Sequence, residues 1–483
     1  VTIFSFLQSY RKCASLLPAC SLETRNDRTS YFLMAGIALA AVALRIVLLL
    51  TYQPWICGDT ASYLELFQVI SSHSWDSFCG GRTPFYPAFL IATSLIGKPN
   101  PYIPVLLQCL LGVLNALLLY NLIRCVTGNR WQALVVGLWS ALYLKQAQLE
   151  MALLPECVTS FLFTLLLYVW VRLEEKRIGS IWAVLGGLLS LLVLTRPNNL
   201  FLLPVFGTRI FFLHRTEIAR LIRVRWAVVF CGTALVPLFA WCCFLYGTTG
   251  RFTVSNYTGI HLTHKTIDWI DQAPLQYTLE RDVLRKYSRD RVQPGIPLDS
   301  RMWVALNELY ALNIYKAQKS GARFVEISSK LQQMDREMIV AHPFLYLRTV
   351  AESWGRFWHP DRFMLVPALE KNDPRSPSAG CVLIRPWLQK VLGQIARPQD
   401  FIVHILVWLF PWMFCAYGVW YWRNKSNASF FPVFSGLLIL FSALSCALLE
   451  YGNGRFVLPY APVLFCAWSV MGWSVVLRLK NRG

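Results

Sequence analysis

The chain has 483 residues, 55% of them hydrophobic and only 15% charged, which is too apolar for an ordinary soluble protein of this length. Its 46 Lys and Arg outnumber 26 Asp and Glu, but the basic residues flank apolar runs, as membrane orientation requires, and do not gather in a domain that would hold nucleic acid. Nucleic acid is therefore set aside as a partner. The class that remains is an all-α polytopic membrane protein, because helices satisfy their own backbone hydrogen bonds in lipid.

In chain order, residues 1–30 read as a cytoplasmic N-terminal segment. Arg11, Lys12, Pro18 and Arg25 interrupt it, so it makes no clean secretory signal, and Leu17-Pro18-Ala19-Cys20 lacks the apolar lead-in of a lipoprotein signal. About ten spans follow, each of roughly the 20 residues needed to cross ~30 Å of hydrocarbon. They are 31–52, 101–123, 131–147, 151–171, 181–195, 198–213, 226–246, 401–422, 429–449 and 456–477.

Short connections carry Arg25 and Arg28, Arg124 and Arg130, Arg172, Lys176 and Arg177, Arg215, Arg220, Arg223 and Arg225, Arg423 and Lys425, and Arg478, Lys480 and Arg482. By the positive-inside rule these are cytoplasmic. The outer side then receives 53–100 and 247–400, with turns near Gln148, near Asn198 and at Glu450–Arg455. The expected organisation is transmembrane helices one to seven in 31–246, a helix-rich outer segment 247–400, and helices eight to ten in 401–483.

Residues 60–70 and 84–96 are too apolar for free loops and suit short interfacial helices. Within 247–400, turn-rich sequence gives way to helical apolar periodicity over 300–318 and 322–341. Residues 344–358 then read as an interfacial helix, with Trp354 and Trp358 at headgroup depth. The outer segment is expected to pack on the bundle as a lid. No internal repeat is visible, which counts against transporters built from duplicated halves. The 14 cysteines show no paired metal spacing, and most lie in apolar runs as small hydrophobes.

Charged residues collect at the outer ends of the spans. Asp59, in Cys57-Gly58-Asp59-Thr60-Ala61-Ser62-Tyr63, is either the N-cap of the next helix or a carboxylate at the lipid–water boundary, and the two are compatible. Arg82 precedes Pro84-Phe85-Tyr86-Pro87, where a guanidinium and a helix N-terminus together suit a phosphate; headgroup anchoring is the alternative. Glu150 and Glu156 lie on the same side. A carboxylate at mid-depth costs about 2.5–3.5 kcal/mol on the insertion scale, so Glu156 is expected to face a polar cavity. Arg196, Glu450 and Arg455 add charge at further helix ends, with a structural Glu450–Arg455 pair as the bland reading, and Arg45 is expected to snorkel outward. The acids at 59 and 156 and the cations at 82, 196 and 455 thus map to one leaflet, where a cavity would suit a phosphate carried on a lipid. Asn256-Tyr257-Thr258 is a formal glycosylation sequon on the outer side, read as incidental.

With these motifs in this order, the chain resembles the GT-C superfamily of membrane glycosyltransferases, in particular the protein O-mannosyltransferase and aminoarabinose (lipid A) transferase branch. Ala43-Leu44-Arg45, then Asp59 with Tyr63 four residues on, is similar to the family's first outer loop. Arg82-Thr83-Pro84-Phe85-Tyr86 looks like its Lys/His-Pro-Pro-x-x-Tyr element, and Leu154-Pro155-Glu156 stands at its second acid. Thr195-Arg196-Pro197-Asn198, Arg455-Phe456-Val457-Leu458-Pro459 and His342-Pro343-Phe344-Leu345-Tyr346-Leu347 to Phe357-Trp358 resemble later signatures. Three features depart from the pattern: Thr60 replaces a second acid, Ser62 stands where aminoarabinose transferases have Arg, and a single Pro precedes Phe85.

The resemblance implies inverting transfer of a monosaccharide from a polyprenyl phosphate, such as undecaprenyl phosphate, to an acceptor hydroxyl on a glycan, lipid or protein. It implies Asp59 as general base, and Arg82 with Arg196 or Arg455 on the lipid phosphate. Tyr63, Tyr86 and Glu450 join donor binding, and Glu156 orients hydroxyls or, with Asp59, holds a divalent metal ion. The implied setting is a bacterial inner membrane with the site facing the periplasm. A transporter or flippase of a lipid-linked sugar needs similar cations but places them near mid-membrane with two gates. Cys57 and Cys79 bracket the Asp59 helix; a disulfide between them would close a loop of about 22 residues, worth up to roughly 3 kcal/mol, and two thiols are the alternative.

Overall fold

A computed structural model describes residues 28–480, apart from 57, 73–74, 96–99, 177–179, 213–219, 293–300, 313–314, 316, 318, 361–385, 424–428, 451 and 453. The first part of the chain forms α1 (Arg28–Thr51), α2 (Gly58–Ser72), α3 (Phe85–Ser94), α4 (Tyr102–Thr127), α5 (Arg130–Leu142), α6 (Leu144–Met151), α7 (Glu156–Lys176), α8 (Ser180–Thr195), α9 (Leu202–Phe212) and α10 (Arg220–Thr249). The long segment holds α11 (Thr258–Thr266), α12 (Thr278–Arg285), α13 (Arg301–Ala311), α14 (Ser320–Ala341) and α15 (Pro343–Phe357). The chain then returns through α16 (Pro386–Arg423), α17 (Phe431–Leu449) and α18 (Ala461–Lys480). Among the described residues there is no strand, only an isolated bridge between Trp55 and Ala152.

Local sequence sets the boundaries. Gly128 takes φ +69° and ends α4, and the next residue, Asn129, accepts from the amides of Trp131 and Gln132 to start α5. The short helices expected at 60–70 and 84–96 form as α2 and α3. The periodic stretches near 300, 322 and 344 form as α13, α14 and α15.

Six stretches are long and apolar enough to cross a membrane: Arg28–Thr51, Tyr102–Thr127, Arg220–Thr249, Trp387–Arg423, Phe431–Leu449 and Gly454–Leu479. The other four expected spans take different forms. The 131–147 stretch breaks at Tyr143, whose backbone is extended, and 151–171 becomes α7, starting only at Glu156. Residues 181–195 give the 16-residue α8, and 198–213 opens as a 3-10 turn over Pro197–Phe201.

The break at Tyr143 makes α6 a buried polar helix inside the bundle, where an outer turn near Gln148 was expected. Gln399 accepts from the Leu144 amide (3.0 Å) and donates to the Leu142 carbonyl (3.0 Å), so a side chain of α16 satisfies the broken helix. Arg45 does not snorkel. It is buried and grips Glu150 of α6 with two bonds, Nε to Oε2 at 2.9 Å and Nη2 to Oε1 at 2.7 Å. A carboxylate within reach satisfies the guanidinium without water. Gly112 makes room, since a Cβ there would stand 2.0 Å from Glu150 Oε1.

The long segment has its own apolar core, built from residues such as Ile260, Leu284, Met302, Leu309, Leu331 and Met338. It locks onto the loop between α2 and α3. The Gly321 amide donates to Asp76 O (2.8 Å), Asn256 Nδ2 to Cys79 O (2.8 Å) and Ser255 Oγ to Gly81 O (2.6 Å). Gly80 sits at φ +63°, and a Cβ on Gly81 would lie 2.1 Å from the Tyr257 ring, so both glycines are required for this approach. The contact buries Asn256 of the formal sequon. At its other end α15 lies against α17, with Tyr346 OH donating to Leu448 O at 2.7 Å. Cys57 falls outside the described residues; Cys79 is a buried free thiol whose Sγ donates to Glu65 Oε2 at 3.5 Å.

Candidate active site

Trp55 lies in extended chain between α1 and α2 and pairs with the stretch before α7. Its amide donates to Met151 O (2.7 Å), the Leu153 amide returns to Trp55 O (3.0 Å), and Thr60 Oγ1 donates to Leu153 O (3.2 Å). These bonds fix the first turn of α2 beside the first turn of α7, and so carry Asp59 toward Glu156.

Three arginines close the gap. Arg455 Nη2 donates to Asp59 Oδ2 at 2.6 Å, and its Nε lies 3.0 Å from Glu156 Oε1. Arg196 Nη2 donates to the same Glu156 oxygen at 2.7 Å. Arg82 Nη2 donates to Asp59 Oδ1 at 3.2 Å, its Nε to Ser62 Oγ at 2.9 Å and its Nη1 to Tyr63 OH at 3.2 Å. Five charged residues from distant parts of the chain thus form one continuous network. The Asp59 side chain is 28% exposed and that of Glu156 is 0% exposed, so Asp59 stands at the mouth and Glu156 at the floor.

Aromatic faces hold the cations. The Arg82 guanidinium lies 4.5 Å from the Tyr63 ring centre and 5.1 Å from that of Tyr257, and Arg196 lies 5.3 Å from Phe456. Burial pushes the Asp59 carboxyl up, but Arg455 and Arg82 outweigh it and hold the group far below the usual carboxylate range. Burial raises the Tyr63 phenol, which stays protonated. The three guanidinium groups face two carboxylates, which leaves one unit of positive charge. Glu156 Oε2 is buried and has no hydrogen-bond partner among the described residues.

The other expected site residues are placed differently. Tyr86 is fully buried: its hydroxyl donates to Gln108 Oε1 at 2.9 Å, and its ring meets Tyr63 edge-to-face at 5.2 Å, so it braces Tyr63 from behind. Glu450, at the end of α17, forms no ion pair with Arg455, which turns to Asp59 and Glu156 instead. Among the described residues no three His, Cys, Asp or Glu gather to hold a metal ion. Of the two expected metal ligands, Asp59 presents both oxygens and Glu156 its Oε1 to guanidinium groups.

The long segment adds residues that the motif reading passed over. Tyr257 reaches Arg82, and one turn later on α11 stands His261, its ring centre 6.0 Å from that of Tyr257. Lys265 Nζ donates to Ser353 Oγ at 2.8 Å, and burial pushes its pKa down to about 7. The available signal was His261, His264 and Lys265 at helical spacing, a pattern too common to single out.

The chain matches no protein-family model, and no curated protein matches it in sequence. Three solved structures are similar to it. The protein O-mannosyltransferase Pmt1-Pmt2 complex of S. cerevisiae, bound to the sugar donor, is 14% identical over 53% of this chain and 38% of its own, with a TM-score of 0.38. The archaeal oligosaccharyltransferase AglB from Archaeoglobus fulgidus, in complex with an inhibitory peptide and a dolichol-phosphate, is 14% identical over 94% of this chain and 51% of its own (TM-score 0.45). ArnT from Cupriavidus metallidurans, bound to undecaprenyl phosphate, is 12% identical over 90% of this chain and 77% of its own (TM-score 0.32). All three are GT-C glycosyltransferases. The chain spans about half or less of the length of the first two. These likenesses are partial, and the functional reading rests on the site's own geometry.

Proposed function

We propose that the chain is an inverting glycosyltransferase that moves a monosaccharide from a polyprenyl-phosphate carrier to an acceptor hydroxyl at the outer membrane–water boundary. The supporting observation is the network of Asp59, Glu156, Arg82, Arg196 and Arg455, which keeps one positive charge in excess and leaves a buried Glu156 oxygen without a donor among the described residues. A sugar phosphodiester is a monoanion and neutralises that charge. A sugar hydroxyl supplies the hydrogen bond that Glu156 Oε2 lacks. The prenyl chain enters between helices from the bilayer, where it exposes no apolar surface to water. Only its phosphate and sugar need a polar pocket.

Arg82 and Arg455, at the mouth, take the phosphate, with Arg196 behind them. Negative charge grows on the phosphate as the sugar leaves, so these guanidinium groups bind the transition state more tightly than the ground state. Asp59 takes the acceptor hydroxyl's proton as that oxygen attacks the anomeric carbon, and the phosphate leaves with the electron pair of the broken bond. Attack from the face opposite the phosphate inverts that centre. The setting proposed is a bacterial inner membrane with the site toward the periplasm. A flippase of the same lipid needs charge along a path across the bundle, whereas this network is confined to helix ends.

Mass spectrometry of products after incubating the purified chain with a panel of polyprenyl-phosphate sugars tests the reading. Transfer from at least one member is expected, and Asp59→Asn is expected to abolish it while leaving folding and carrier binding intact. A normal rate in Asp59→Asn rules out the role given to this carboxylate.

A further inference from the structure

Arg82 and Arg455 meet on the two oxygens of Asp59, so both lie within reach of one oxyanion. That grip weakens in the reaction proposed above. As Asp59 takes the acceptor's proton it becomes neutral and holds a guanidinium less strongly. The departing phosphate needs both guanidinium groups at that same moment. Each arginine therefore needs a support other than Asp59. Arg82 has the faces of Tyr63 and Tyr257, and Arg455 has Glu156.

One short helix links the surroundings of the two arginines. Tyr257 stands directly before α11, and Lys265 lies in its last turn. The helix is fixed along its length. A Cβ on Gly259 would overlap the Ser328 carbonyl oxygen of α14, and Thr263 and Thr266 both donate to Asp335 of the same helix. Lys265 is buried, and among the described residues its side chain has a single hydrogen-bond partner, Ser353 Oγ of α15. The carbonyl oxygen of that same Ser353 packs against Gly452, three residues before Arg455. One end of α11 thus faces Arg82, and the other backs the turn that carries Arg455.

We propose that α11 is a strut that sets the separation of Arg82 and Arg455, with Lys265 as the positioning residue at the Arg455 end. This rests on the phosphate seat proposed above. Lys265 holds α15 through Ser353, α15 holds the turn at Gly452, and that turn aims the Arg455 guanidinium at the carrier phosphate. Misplacing such a group by about 1 Å can cost on the order of 10²-fold in rate. The outer segment then does more than cover the site: it fixes the spacing of the two cations at its mouth.

The test uses the full chain in lipid nanodiscs, with Lys265→Met alone and Lys265→Met combined with Ser353→Ala. The combined variant removes both partners and so leaves no buried group unsatisfied. The quantity measured is the ratio of affinities for undecaprenyl phosphate and undecaprenol. Both variants are expected to lower it about threefold, one arginine's share of a roughly tenfold preference, with undecaprenol binding unchanged. Adding Lys265→Met to Arg455→Gln is expected to lower the ratio no further, whereas adding it to Arg82→Gln still lowers it. A wild-type ratio in both Lys265 variants overturns the inference. An equal further loss in the Arg455→Gln background also overturns it, because it marks lost charge acting at a distance and not through Arg455. Failure of both variants to fold, read as a missing thermal transition, makes Lys265 a folding residue and overturns it as well. If the wild-type chain shows no preference for the phosphate, the seat itself fails first.

Discussion

Among the described residues Asp335 is a carboxyl buried without a cation, held by the hydroxyls of Thr263 at 2.7 Å and Thr266 at 2.6 Å. Burial pushes its pKa up to about 7 from an ordinary 3.8. Between those two values the folded chain keeps a proton that the unfolded chain has released, so stability falls as pH rises through that window. Asp335→Asn stays neutral throughout. Its melting temperature relative to wild type is therefore expected to rise from pH 4 to pH 8, measured in detergent; a difference independent of pH contradicts the assignment. Residues of this kind were hard to read in sequence. Asp59, Arg82, Glu156, Arg196 and Arg455 were legible as a group because ionised side chains beside apolar runs are costly unless they are paired or used. Arg45 and Glu150 sit in the same kind of context, but their partnership spans 105 residues and no local pattern announces it. His261 offered only its helical spacing with His264 and Lys265, a pattern too common to single out.

At the scale of elements, apolar periodicity located most helices, but it did not reveal where polar groups interrupt them. The break at Tyr143 depends on Gln399 of α16, which satisfies the freed backbone from across the bundle. The Arg45–Glu150 pair ties α1 to α6. Removing one partner of a buried pair typically costs about 3–5 kcal/mol, whereas replacing both with apolar groups is often neutral. Arg45→Met is expected to destabilise the bundle by about that amount in denaturant unfolding, and Arg45→Met with Glu150→Met to recover most of it. Equal losses in both variants contradict the pairing. A second element-scale contact sits at Gly452, where an added Cβ would stand 2.1 Å from the Ser353 carbonyl oxygen of α15. Gly452→Ala is expected to push the stretch before Arg455 outward and lower transfer by up to ~10²-fold without unfolding the bundle, read from kcat together with the melting temperature. An unchanged kcat shows that α15 does not set the position of Arg455.

For the whole molecule, a helical bundle and a separately cored segment meet over the α2–α3 loop, and the charged network lies where α2, α7 and the start of the Gly454–Leu479 stretch converge. The bundle supplies both carboxylates and the arginines, and the docked segment supplies Tyr257, whose ring faces Arg82. The central claim is that the spare positive charge of this network is a seat for a lipid phosphate. Native mass spectrometry of the wild-type chain with undecaprenyl phosphate and with undecaprenol tests it most directly. The phosphate is expected to bind more tightly than the alcohol by roughly tenfold or more, the worth of one or two charge-assisted hydrogen bonds, and Arg82→Gln with Arg455→Gln to erase the difference. Equal binding of phosphate and alcohol by the wild-type chain, or a preference for phosphate that survives loss of both arginines, contradicts the account.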